Sequence, residues 1–434
     1  MKCTQCGTDN TLKDRTANSG RCKSCNHPFA FEPTSMGIIK ITDSFFAKAI
    51  ADISANNTLF FTPKQLLYFL DRRFKGKILS STLGCIFIYI VLILVSGLFF
   101  GSLLIGISNN LSFGLLPIVI LNILVIMGGI NNSQVATYNY KNRQKSAKAL
   151  RIIGVINLVF GIFFSLAFNF FPLFAIAVII GMLQIYFGNR QMTRIGTYQV
   201  FTLQKTQLQS WLDRWQQING NIIKMLPSPR EENTVVAISP DVTAYSFDRL
   251  VVCDSAVIAQ LLIANNFHFE NNCAILSITG YPQNIFAIAM QMLQRNRDLK
   301  VFAFHDCSPR GIGLVHRLRN SPNWFQDSDI VIFDVGLLPR QIIPSTREMF
   351  ILNTPESAQD AKQLTAEIRQ QLSKEELEWL EAGNFVELES FTPQRLIQVL
   401  NRGISGSRNL GSDDSSLILV GDSDSSIYVS ESFG

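Results

Sequence analysis

Four cysteines open the chain in two pairs, "CTQC" and "CKSC", which place Cys3, Cys6, Cys22 and Cys25 as two CxxC knuckles fifteen residues apart. Thiolates at that spacing close a tetrahedron around zinc and leave no open coordination position, so the chemistry is structural. Each knuckle needs a tight turn, for which Gly7, Asn10 and Asn26 are suited. The competing chemistry is a pair of disulfides, which a cytoplasmic location disfavours. His27 reads as a surface neighbour, not a fifth ligand. Lys2, Lys13, Arg15, Arg21 and Lys23 give the ribbon basic charge without an aromatic stacking platform, so nucleic acid, protein or no partner at all stay open.

The second concentration of reactive groups lies far downstream. "FAFHDCSPRGIG", residues 302–313, reads as an apolar strand running into a turn and a helix, with His305, Asp306, Cys307 and Ser308 at the junction. Short apolar runs of the same kind, "RLVVCD", "CAILSITG" and "DIVIFDVGL", alternate with helical segments "SAVIAQLLIANNF", "PQNIFAIAMQMLQRN" and "GIGLVHRLRN". Runs without polar alternation, flanked by helices, predict an α/β domain with a buried parallel sheet. Functional groups in such sheets gather where strands end and helices begin. Those groups are Cys253 and Asp254, Thr279 and Gly280, Asp306 to Ser308, and Asp334, three carboxylates at one edge. Cys253, Cys307 and His305 suggest a soft-metal or redox site as an alternative; buried cysteine is otherwise a small hydrophobe. His268, His316 and Cys85 read as structural residues.

These motifs, in order and spacing, resemble the Toprim domain of the topoisomerase VI A subunit and its meiotic-recombination relative: "VVCDSAVIAQLL", "CAILSITGYPQN", "LKVFAFHDCSPRGIGL" and "GLLPRQI". "LSKEELEWLEAGNFVELESFTPQRLIQVL" is similar to the segment that closes that domain, and the likeness spans roughly residues 248–401. In that family a Glu after the first strand and a DxDPxG motif after the third hold magnesium, which supports phosphodiester chemistry at a tyrosine on a separate winged-helix domain. The resemblance therefore implies a degenerate magnesium site on Asp254, Asp306 and Ser308 that has lost most of its ligands, with Asp334 either a further candidate acid or the cap of a strand-end turn. Here the motif reads "DCSPRG", so Ser308 stands where the second acid falls. Cys253 takes the position of the Glu, with Asp254 next to it, and "TGYPQN" shortens a further motif. No winged-helix segment precedes the domain, which argues against topoisomerase-type cleavage. Motifs of the GxxxxGK[ST], GxSxG and HExxH types are absent from the sequence.

Between these two regions, charged residues are absent from 78–140 and from 152–189. About 20 helical residues cross the hydrocarbon layer, so spans are expected near 84–107, 113–130, 152–169 and 171–188. The breaks fall at "SNNLS" and at "NFFP", where proline cannot donate a backbone hydrogen bond and the bilayer offers no substitute. Lys and Arg flank the first span, lie between the second and third, and follow the fourth. That distribution predicts a multi-pass integral membrane protein with both termini cytoplasmic. It also accounts for most of the net charge of +5, which is then poor grounds for a nucleic-acid partner. The spans carry no ionisable side chain that would mark an ion path, so an anchor is the simpler role. Gly84, Gly97, Gly101 and Gly106 leave helix association within or between chains open.

The expected organisation is a multidomain membrane protein: a zinc ribbon at 1–33, a helical juxtamembrane segment at 38–77 and a four-span α-helical bundle at 78–189. A connecting helix and linker follow at 195–229, then a Toprim-like α/β domain at 230–402 and a disordered Ser/Asp/Gly tail at 403–434. The helix beginning at Thr62-Pro63 places Leu66, Leu67, Leu70 and Phe74 on one side and suits a membrane surface. The functional expectation is binding or tethering of DNA, RNA or a protein complex, with protein contacts through the ribbon or the tail. The alternatives are a magnesium-dependent nuclease or phosphotransferase using Asp254, Asp306 and Asp334, and a protein-only membrane scaffold.

Overall fold

A computed structural model describes residues 1–37, 39–76, 82–108, 111–135, 138, 140–194, 198–229, 248–294, 296, 298–326, 328–345 and 349–406. The start expected for the α/β domain at 230, and all of the expected tail beyond residue 406, lie outside the described residues. The chain forms two compact units: Met1–Asp71 with Leu203–Gly434, and Arg72–Thr202.

In the first unit the ribbon contains one short helix, α1 (Leu12–Ala17), started by a capping box between Thr11 and Asp14. Two helices follow, α2 (Asp43–Ile53) and α3 (Pro63–Gly76). The Thr62 hydroxyl accepts from the Gln65 amide at 3.1 Å, the N-cap that "TP" suggests. The apolar side of α3 is spent on protein, not on a membrane surface: Leu66, Leu67 and Leu70 are buried, and the Tyr68 ring packs edge-on against Phe350 at 4.9 Å.

Among the described residues, the second unit holds four helices long and apolar enough to cross a membrane: Ile86–Ile107, Phe113–Gln134, Asn142–Ala167 and Phe171–Thr193. The first is built from α4 (Thr82–Val95), a π-helical turn at Ser96–Gly101 and α5 (Ser102–Ser108). The others are α6 (Leu116–Gln134), α7 (Tyr140–Phe168) and α8 (Phe171–Arg194). The third helix begins well before the expected 152, because Lys141, Arg143, Lys145, Lys148 and Arg151 belong to its first turns. Lys, Arg, Gln and Ala are strong helix formers, and neither Gly nor Pro interrupts them. The break at "NFFP" is as expected: Asn169 takes a left-handed φ of 51°, and Pro172 falls in the first turn of α8. Gly97 and Gly101 turn toward α6 and the turn before it, where Cβ atoms would lie 3.4 Å from Ile118 Cδ1 and 2.9 Å from Gly114 O.

The chain re-enters the first unit through α9 (Lys205–Asn219), stopped by Gly220 at φ 83°. The α/β part then runs β1 (Arg249–Cys253), α10 (Ala256–Ala264), α11 (Phe267–Asn271), β2 (Cys273–Ser277), α12 (Gln283–Gln294), β3 (Lys300–Phe304), α13 (Pro309–Ile312), α14 (Leu314–Asn320) and β4 (Val331–Asp334). All four strands are parallel, in the order β2-β1-β3-β4. Alternate residues fill two cores, as a sheet covered on both faces requires. Val251, Cys253, Phe302 and Phe304 face α10 and the C-terminal helix Pro393–Gly406, while Leu250, Val252, Val301 and Ala303 face α12 and α14. Strand order reverses direction between β1 and β3, so the switch point lies where Asp254 and Asp306 begin their loops.

Candidate functional site

The four N-terminal thiols converge: Cys3, Cys6, Cys22 and Cys25 present sulfurs that all lie within 4.8 Å of one another. Cys3 Sγ is 3.6 Å from Cys25 Sγ, and Cys6 Sγ is 3.6 Å from Cys22 Sγ. A disulfide needs about 2.05 Å, whereas tetrahedral thiolates around an ion with 2.3 Å bonds sit roughly 3.8 Å apart, so the arrangement is one that could hold a metal ion. Gly7 at φ 73° and Asn26 at φ 57° supply equivalent left-handed turns immediately after each knuckle. Asn10 plays a different part from the expected turn. It is buried, accepts from the Lys23 amide at 2.9 Å, and directs its Nδ2 to Cys22 Sγ at 3.5 Å. With the Cys25 amide as the leading cause, these donors hold the Cys22 thiol down at about 6, ready to bind as thiolate.

The ribbon is fastened to its unit. Asp43 accepts from the Ala30 and Phe31 amides at 2.9 Å each. Phe31 stacks on Trp215 at 6.1 Å and meets Phe46 at 5.1 Å, so α2 and α9 form an aromatic clamp on the ribbon's exit. His27 lies 3.3 Å from Asn219 Oδ1 of α9, away from a ligand role. The basic charge is partly consumed: Arg15 is buried and forked onto Glu32 at 2.9 and 3.1 Å, and Lys23 pairs with Asp14 at 2.9 Å.

At the sheet edge, Asp254 and Asp306 come together. Asp254 Oδ2 accepts from the Asp306 amide at 2.7 Å, so Asp254, not Cys253, faces the third strand's end. Asp254 Oδ1 has no hydrogen-bond partner among the described residues. Asp306 Oδ1 accepts from the Leu388 amide at 2.5 Å, a donor supplied by the closing segment through the Cys307–Val386 bridge. Burial first, and the neighbouring Asp254 second, push the Asp306 carboxyl well above the ordinary range; burial also raises Asp254.

Asp334 and Ser308 go elsewhere. Asp334 Oδ1 lies 2.9 Å from His305 Nε2 and accepts from the Gly336 amide at 3.0 Å, and His305 Nδ1 lies 2.8 Å from the Asp306 carbonyl. Acceptors at both ring nitrogens favour the imidazolium: burial is the largest single influence and opposes its charge, but Asp334, the Asp306 carbonyl and Asp254 together raise its pKa. Burial likewise opposes the Asp334 carboxylate, and His305 more than compensates, lowering it. Ser308 Oγ accepts from the Gly311 amide at 3.0 Å and caps α13. Among the described residues, Asp254, Asp306 and Asp334 do not make a three-ligand group; the cysteine quartet does. Cys253 and Cys307 are fully buried thiols whose pKa values burial drives up, a poor setting for a soft metal. His268 lies tilted against the Phe269 ring at 4.2 Å, and His316 pairs with Glu367.

The sequence reading missed the groups that cover this edge. Lys64 Nζ of α3 lies 2.7 Å from Glu387 Oε2 and 3.7 Å from Glu389 Oε2. Tyr68 donates to Glu387 at 2.6 Å and Thr62 to Glu389 at 2.8 Å. Burial opposes the Lys64 ammonium, but Glu387, Glu389 and Asp306 together raise its pKa. The alternating acids of "VELES" were the available signal for half of this cluster.

No protein-family model and no curated protein matches the chain.

Proposed function

We propose that this is a multi-pass membrane protein whose cysteine cluster holds a structural zinc and whose divergent Toprim-like domain binds or tethers a partner without metal-dependent cleavage. One observation carries the reading: the acidic edge already has a cation of its own, the Lys64 ammonium set among Glu387, Glu389 and Asp306. The remaining Asp306 and Asp254 contacts use backbone amides in place of an ion. Four converging cysteine sulfurs suit zinc. The stretches before the first span and after the fourth pack into one unit, as in the Thr62–Glu389 and Thr4–Asn219 bonds. That supports an even number of crossings, and the Lys/Arg distribution favours a cytoplasmic location for this unit. Because Arg15 and Lys23 are engaged internally, a protein complex suits the ribbon better than a phosphate backbone.

The second reading, a magnesium-dependent nuclease or phosphotransferase, draws on one feature, the unpartnered Asp254 Oδ1 beside Asp306. Incubating the full-length protein in detergent with single- and double-stranded nucleic acid and magnesium separates the two. The expectation is no cleavage at any magnesium concentration; cleavage that Asp306→Ala abolishes would establish the second. Binding of nucleic acid that weakens steeply with salt would move the partner from protein to nucleic acid.

A further inference from the structure

Between the basic first turns of α7 and the basic last turns of α8 the spans contain no charge, yet each contributes one polar side chain to a common point. Tyr89 of α4 lies 2.7 Å from both Asn122 Oδ1 of α6 and Asn157 Oδ1 of α7. Asn157 Nδ2 reaches Asn122 Oδ1 at 2.8 Å and Gln184 Oε1 of α8 at 2.7 Å. Gln184 Nε2 returns to Asn122 Oδ1 at 2.8 Å, and Asn122 Nδ2 donates to the Ile118 carbonyl at 2.8 Å. Tyr89, Asn122 and Gln184 are nearly inaccessible.

The proton count closes in one way. An amide oxygen has two lone pairs, so Asn122 Oδ1 is filled by Asn157 and Gln184, which sends the single Tyr89 proton to Asn157 Oδ1. The bonds then run Tyr89 to Asn157, Asn157 to Gln184 and Asn122, Gln184 to Asn122, and Asn122 to its own helix.

Close approach makes this geometry available. "GVIN" at 154–157 and "GMLQ" at 181–184 put a glycine one turn before each amide on the facing helices. A Cβ on Gly154 would lie 2.9 Å from Gln184 Cβ, and one on Gly181 would lie 2.5 Å from Leu158 Cγ. A side chain there would hold α7 and α8 too far apart for the Asn157–Gln184 bond.

We infer that Tyr89, Asn122, Asn157 and Gln184 form a polar lock that selects one packing of the four spans. In hydrocarbon an orphaned amide costs several times what a made interhelical bond contributes. The lock therefore acts chiefly against wrong registers, each of which strands polar groups in lipid.

That asymmetry defines the test, thermal unfolding of the full-length protein in detergent followed by helical circular dichroism. Tyr89→Phe removes one bond and lowers the midpoint by roughly 1–4 °C. Asn157→Leu removes three bonds at once and strands Gln184 Oε1, since Tyr89 and Gln184 can still reach Asn122 Oδ1, and lowers it further. The quadruple variant Tyr89→Phe, Asn122→Leu, Asn157→Leu, Gln184→Leu regains midpoint relative to Asn157→Leu, but unfolds over a broader range because no single packing is specified. A quadruple variant that unfolds as sharply as the native chain, or an Asn157→Leu variant as stable as native, overturns the inference.

Discussion

Lys64 Nζ and Glu387 Oε2 lie 2.7 Å apart, joining the first turn of α3 to a segment more than 300 residues later in the chain. If the ammonium stands in for a divalent ion, removing it should create a vacancy that an ion can enter. The full-length Lys64→Met variant is expected to unfold at a lower temperature than native, and added magnesium should raise its midpoint while leaving the native protein unmoved. Thermal unfolding with and without magnesium reads both effects; equal responses in the two proteins would count against an internal counter-ion.

Asp306→Asn keeps an oxygen for the Leu388 amide and removes a buried charge beside Asp254. A carboxyl whose folded pKa is raised holds its proton more tightly when folded, so its contribution to stability falls as pH rises from about 3.8 through the folded value. The variant should be more stable than native at pH 7, and the gain should shrink toward pH 4. Chemical denaturation at the two pH values measures the difference.

The His305–Asp334 pair gives a different pH signature. His305 is raised, so its contribution is complete below the unfolded value of 6.5 and is lost as pH rises through the folded one. Asp334 is lowered, so its contribution is present above 3.8 and is lost as pH falls through its folded value. The stability lost on His305→Gln should therefore be largest between about pH 4 and 6.5. A loss that does not vary with pH would mean the pair is not charged.

Two glycines of "PRGIG" make a matched pair. A Cβ on Gly311 would lie 2.2 Å from the Asp306 carbonyl oxygen, whereas one on Gly313 meets nothing closer than 3.5 Å. Gly311→Ala should destabilise by about 1–3 kcal/mol, with Gly313→Ala near neutral. Denaturant midpoints of the two variants decide it.

Metal removal should be felt beyond the ribbon. Phe31 couples the cysteine cluster to Trp211 and Trp215 through the α2–α9 clamp. Chelation, or Cys22→Ser, is expected to shift tryptophan emission to longer wavelength as the clamp opens, and elemental analysis of the native protein should return one zinc per chain. Unchanged emission after zinc loss would show that the clamp stands alone.

What the sequence made legible follows its local physics. The knuckles, the strand runs and the "NFFP" break are each written within a few residues, and the structure has the metal-binding geometry, the parallel sheet and the span boundary there. Asp254 and Asp306 meet at the switch point because strand order alone brings their loops together. Lys64, Tyr68, Glu387 and Glu389 escaped because nothing local announces a contact across more than 300 residues. A polar-tolerant helix also hid the start of α7, since residues 141–151 are good helix formers as readily as they are a basic loop. The four polar span residues, three amides and one phenol, carry no charge and so leave no mark on the charge pattern.

The bond between Thr62 and Glu389 spans 327 positions of sequence, and all four membrane helices lie between its ends. At translation rates of roughly 5–20 residues per second, α3 emerges tens of seconds before the segment that covers it. During that interval the contacts of Tyr68 with Phe350 and Glu387 cannot form, while membrane insertion is under way immediately behind α3. Biogenesis of this chain is thus a matter of timing as well as of stability: its first helices must be shielded until its last residues arrive.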